Sequence, residues 1–161
     1  MARVLIVGCG CRGEALARDL IALGHPVRGT TRDPARAEEL DAAGIEPVVA
    51  DPYRLATLMP HVANTSVMCW LMAGATGDDV EALHRTRLQT VLERLVDSPV
   101  RGMVYEAAGS LAPELLREGA AAVRKASATW SMPFAIVDAA PVGGDAWRAA
   151  MVAGVESVLS G

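Results

Sequence analysis

Four apolar residues, Val4-Leu5-Ile6-Val7, run straight into Gly8-Cys9-Gly10-Cys11-Arg12-Gly13 and then into a segment with helical periodicity, marked by Ala15, Leu16, Leu20 and Leu23. A buried strand, a G-x-G-x-x-G turn and a helix in that order constrain the chain more than any other feature. The first glycine permits the tight turn, the second lets a ligand approach the backbone, and the third lets helix pack on strand. The free N–H groups opening such a helix bind phosphate. This predicts a dinucleotide site built from Gly8, Gly10, Cys11, Arg12 and Gly13, with Arg12 placed where a cation could meet a phosphate. The plainer alternative is a glycine turn that only links strand to helix.

The same alternation of strand and helix continues to the end. Strands are expected over 4–7, 27–31, 45–50, 66–72, 102–106 and 134–138, and helices over 35–43, 55–59, 80–96, 115–130 and 146–159 after the first. Asp33-Pro34 offers an N-cap followed by proline at the first helical position. Asp78 and Asp79 are expected to cap the fourth helix. The reading is an α/β fold, a doubly wound parallel sheet of about six strands with helices on both faces, as one domain over 1–161.

Bulk properties narrow the function. With 161 residues, a net charge of -4 and 52% hydrophobic residues, the chain can bury a substantial core and carries no basic field suited to nucleic acid. The longest apolar run, 67–73, is too short to span a bilayer, and no leader precedes the first strand, so a soluble cytoplasmic protein is expected. The three cysteines form no disulfide framework, and the three histidines have no metal-ligand spacing, so no metal site is expected. Cys9 and Cys11 lie near a helix N-terminus, which can lower a thiol pKa and raises a redox role. Small loop fillers are the preferred reading.

The end of the second strand bears on cofactor choice. NAD sites usually place an acidic residue there to hold the ribose, roughly twenty residues past the glycines. Here the sequence is Gly29-Thr30-Thr31-Arg32-Asp33-Pro34. A guanidinium can clamp a 2′-phosphate that a carboxylate would repel. Thr31 and Arg32 therefore favour NADP(H).

From these segments, with Asp51 after the third strand, Ala73-Gly74 after the fourth and 132–137 near the end, the chain resembles an atypical member of the extended short-chain dehydrogenase/reductase superfamily, in its NAD(P)-binding, epimerase-like group. The resemblance implies that Asp51 meets the adenine amino group and that 71–74, including Ala73 and Gly74, line the adenosine and nicotinamide ribose. It also implies a serine after strand five, a Tyr-x-x-x-Lys pair on the next helix, and a C-terminal substrate domain. The chain departs on each. Alanines 107 and 108 stand where the serine is expected, Tyr53 and Tyr105 are the only tyrosines, and Lys125 is the only lysine. The sequence as given ends at Gly161, so no substrate domain is expected.

Other candidates for chemistry are Tyr105, Glu106 and Ser110, at the C-terminal end of a parallel strand where such sheets bind ligands. Tyr105 could donate a proton and Glu106 accept one. The competing reading packs Tyr105 at a sheet edge and leaves Glu106 solvated or bonded to a loop amide. Three functions stay open: a small NADP(H)-dependent oxidoreductase or epimerase-like enzyme with an unusual proton donor, a non-catalytic NADP(H) sensor or partner module, and a scaffold without nucleotide. Apolar stripes on the fourth and fifth helices suggest a homodimer, unless both are used against the sheet.

Overall fold

A computed structural model describes residues 2–142 and 144–161. Six parallel strands form one sheet: β1 (Val4–Val7), β2 (Val27–Thr31), β3 (Glu46–Val49), β4 (Val67–Trp70), β5 (Gly102–Glu106) and β6 (Phe134–Val137). Their spatial order is β3-β2-β1-β4-β5-β6, the two-halved order whose reversal point lies between β1 and β4. Register is continuous across that point, with Ile6 opposite Gly29 on one side and Cys69 on the other.

Both faces of the sheet are covered, which is why β1 and β4 read as unbroken apolar runs. Leu5, Val7, Met68, Trp70, Met103 and Tyr105 point into one core layer, against α4 (Thr86–Leu95) and α5 (Pro113–Trp130). Val4, Ile6, Cys69, Val104 and Val137 point into the other, against α1 (Cys11–Ala22) and α6 (Asp145–Ser160). Two further helices, α2 (Pro34–Ala42) and α3 (Leu55–Leu58), flank β3 in sequence. Asp33 caps α2 by accepting from the Ala35 amide at 3.0 Å, with Pro34 at the first helical position.

The expected helix over 80–96 is two elements. Val80–His84 is a 3-10 helix, and α4 begins only at Thr86. The break falls at Arg85, whose backbone (φ -127°, ψ -99°) is not helical. The Leu83 carbonyl accepts from the buried Trp70 indole at 2.9 Å, and Arg85 turns outward to pair with Glu118 on α5 at 2.7 Å. The aspartate cap expected there is absent too. Asp79 adopts a left-handed conformation (φ 59°) and makes no side-chain cap bond.

The stripes of α4 and α5 are used within the chain. Leu88, Val91, Leu92 and Leu95 of α4, and Leu115, Leu116, Ala120, Val123 and Ala126 of α5, are all buried. The apolar argument for a dimer is thus accounted for by one copy.

Candidate functional site

The strands end on a cleft of about 380 Å³ at the sheet's reversal point. Gly8 opens it. Its φ of +87° suits glycine, and a side chain would collide with Met72 and stand 2.7 Å from the Leu71 carbonyl oxygen. Its amide donates to Thr30 Oγ1 at 2.9 Å and the Cys9 amide to the Thr30 carbonyl at 2.9 Å, so the glycine turn is fastened to β2. A Cβ on Gly10 would meet open space, whereas one on Gly13 would press on Cys9 and Ile6 at 3.3 Å. Gly10 is the N-cap of α1, and no side chain caps the helix. Its first-turn amides are left to a ligand.

Three guanidiniums line this cleft, from Arg12, Arg32 and Arg36, and no lining residue among those described is acidic. Arg32 lies over the Tyr53 ring, 5.9 Å from its centroid. Arg36, in the first turn of α2, donates to the Cys9 carbonyl at 3.2 Å and pairs with Glu39 at 2.7 Å and Glu14 at 3.6 Å. Sequence reasoning missed Arg36 and Tyr53. The place of Arg36 in the first turn of the helix capped by Asp33-Pro34, four positions after Arg32, was the available signal for the first. Tyr53 had none, because only the fold brings the turn after β3 beside the end of β2. Its hydroxyl is buried and has no hydrogen-bond partner among the described residues.

Other expected residues fall as follows. Thr31 and Gly74 line the cleft, though the Thr31 hydroxyl also accepts from the Asp33 amide at 3.1 Å. Asp51 does not line it. Its carboxylate accepts from the Tyr53 amide at 3.0 Å and shapes the turn, while its neighbours Ala50 and Pro52 reach the cleft wall. Cys11 is exposed at the start of α1 and is not part of the lining. Cys9 is buried, and burial pushes its thiol pKa up to about 12, so the helix terminus does not activate it. Ala73 is buried, its carbonyl accepting from the Leu111 amide at 3.1 Å. Ser110 is exposed in the loop beyond β5.

Tyr105 departs from both readings of it, whereas Glu106 is bonded to a loop amide, as the second reading has it, but is not solvated. β5 lies between β4 and β6, so Tyr105 is not at a sheet edge. It is fully buried, and its hydroxyl meets His84 Nδ1 at 2.6 Å. His84 Nε2 lies 2.9 Å from the Met72 carbonyl, which can only accept. The proton therefore sits on Nε2, and the tyrosine donates to Nδ1. Burial lowers the His84 pKa and raises that of Tyr105, so both stay neutral. The Tyr105 hydroxyl is a core hydrogen bond with no opening to a substrate.

Glu106 is also fully buried, not solvated. It accepts from the Ala73 amide at 3.2 Å and forms an ion pair with Arg12, whose guanidinium lies 5.3 Å from the Trp147 ring centroid. Burial raises the Glu106 pKa despite the opposing pull of Arg12 and the Ala73 amide.

A family model for the TrkA-N domain matches residues 4–95, more than half of the chain. The chain belongs to the TrkA-N domain family, an NAD(P)-binding Rossmann domain. Solved structures extend the likeness of this TrkA-N chain beyond residue 95. A putative NAD-dependent epimerase/dehydratase from Bacillus halodurans is 21% identical, with a TM-score of 0.66 over 88% of this chain and 71% of that one. A short-chain dehydrogenase/reductase superfamily protein from Agrobacterium tumefaciens with bound NAD is 18% identical, with a TM-score of 0.68 over 84% and 48%. Citrobacter sp. triphenylmethane reductase complexed with NADP(H) is 19% identical, with a TM-score of 0.66 over 84% and 48%. No curated protein matches. The TrkA-N chain spans about half the length of most of these neighbours. Their fold agrees with the short-chain dehydrogenase resemblance, and the bound nucleotides named for them include both NAD and NADP(H).

Proposed function

We propose that this TrkA-N chain binds NADP(H) in preference to NAD(H), with Gly8, Gly10 and the α1 amides at the diphosphate and Thr31, Arg32 and Arg36 at the 2′-phosphate. The observation that carries the reading is a cleft lined, among the described residues, by three arginines and no carboxylate. The donor set suits the cofactor: an uncapped helix start for phosphates, open space at Gly10, and the Arg32 guanidinium over the Tyr53 ring at the end of β2. Bound there, the nicotinamide would supply or accept a hydride.

Two functions share this cofactor. An oxidoreductase or epimerase-like enzyme would need a proton donor other than a Ser/Tyr-Lys unit. A sensor of NADP(H) would need none. The second is favoured by Tyr105, because its hydroxyl is sealed in the core. Ser110 is an exposed hydroxyl near the β4 exit for the first, its Oγ 3.8 Å from where a Cβ on Gly74 would stand.

Calorimetric titration with NADPH and NADH tests the assignment. NADPH is expected to bind at least about tenfold more tightly, and Arg32→Ala or Arg36→Ala to reduce NADPH affinity about tenfold while leaving NADH unchanged. Equal binding of the two nucleotides by the unaltered chain would assign Arg32 and Arg36 to the surface instead.

A further inference from the structure

The reversal point of such a sheet serves two nucleotide halves, one over β1-β2-β3 and one over β4-β5-β6. The cleft described above belongs to the first. Among the described residues, the exits of β5 and β6 contribute nothing to the cleft lining, which on that side stops at the β4 exit and Leu83. One side chain stands between the cleft and the tip of β5. Arg12 starts on α1, crosses the β4 exit at Gly74, where a Cβ would stand 3.1 Å from its Nη2, and ends in the ion pair with Glu106 at the tip of β5. Trp147 of α6 lies beneath the guanidinium. Behind this strap the β4 and β5 exits are fastened together by the Leu111 amide on the Ala73 carbonyl, and Gly109 packs against that carbonyl too closely for any side chain.

The strap is asymmetric. Arg12 keeps 38% of its side chain exposed and faces the cleft, whereas the Glu106 side chain has no exposure at all. A diphosphate at the α1 terminus would compete with Glu106 for Arg12. Losing Arg12 would strand a buried carboxylate, and that penalty holds the strap shut.

We propose that the Arg12–Glu106 pair is a gate across the crevice: the closed protein recognises the 2′-phospho-ADP half of its nucleotide alone, and the nicotinamide half seats only when the pair parts. This rests on the NADP(H) reading above and adds the order of recognition. Resting affinity comes from adenosine, 2′-phosphate and diphosphate, and the nicotinamide is admitted as a separate event.

The experiment compares NADPH with 2′-phospho-ADP-ribose, which lacks the nicotinamide, by calorimetry on the unaltered chain and on Glu106→Gln, following NADPH fluorescence in parallel. For the unaltered chain the two ligands should bind within about threefold of each other, with NADPH emission close to its free value. In Glu106→Gln, where the amide holds Arg12 without a charge, NADPH should gain about tenfold over 2′-phospho-ADP-ribose and its emission should rise. NADPH binding more than about tenfold tighter than 2′-phospho-ADP-ribose in the unaltered chain would overturn the gate while leaving the NADP(H) reading intact. So would a folded Glu106→Gln chain with unchanged ligand preference. If neither ligand binds the unaltered chain, the NADP(H) reading itself falls. The comparison on the unaltered chain decides even if the variant fails to fold.

Discussion

At the scale of single residues, two buried polar groups on neighbouring positions of β5 have opposite characters. Tyr105 is satisfied by a neutral hydrogen bond to His84, itself anchored on the Met72 carbonyl. Tyr105→Phe leaves the Nδ1 acceptor unpaired in the core and should destabilise the fold by about 1–3 kcal/mol, read from denaturant midpoints. Glu106 is a charge held in the interior by Arg12. Its folded pKa is raised above the ordinary 4.5, so the protonated form is the better tolerated one. Its contribution to stability is complete below that ordinary value and is lost as pH rises through the raised one. Denaturation of the native chain and of Glu106→Gln between pH 4 and about pH 8 should therefore show the native chain losing stability relative to the variant as pH rises. A difference independent of pH would mean that Glu106 keeps an ordinary pKa.

At the scale of elements, close approach sets the sequence. α5 carries Gly119 in its interior, where alanine would favour the helix by up to about 1 kcal/mol. A Cβ there would collide with the Tyr105 hydroxyl. Overpacking costs about 1–3 kcal/mol, so it outweighs the helical gain, and Gly119→Ala should lower the thermal midpoint. The broken fourth helix is the same kind of effect. Its periodicity was legible, because Val80, Leu83, Leu88, Val91, Leu92 and Leu95 recur at helical spacing. The break at Arg85 was not, because it depends on the Trp70 indole and on Glu118, neither of them close in sequence. Where signals were local, as in the Asp33-Pro34 cap and the glycine turn, sequence and structure coincide.

At the scale of the whole molecule, the sheet's two faces are each filled by one chain, including the stripes of α4 and α5. Light scattering at high protein concentration is expected to give the mass of one copy, 16.8 kDa. A doubled mass would show that two copies pair although these stripes are buried within each. Among the described residues no helix is long and apolar enough to cross a membrane. The sequence by itself determined the alternation of strand and helix, the parallel sheet covered on both faces, the glycine turn and the arginine after β2. Each of those is written in hydrophobic period, glycine spacing or a cap, which act over a few residues. Only the tertiary structure decided which side chains share the cleft. It buried Tyr105 and Glu106, brought Tyr53 beside Arg32, left Asp51 in a turn, and drew Arg12 across to a partner 94 positions away. Contacts of that kind depend on strand order and on the cost of desolvating a charge, and no local pattern in the chain encodes either.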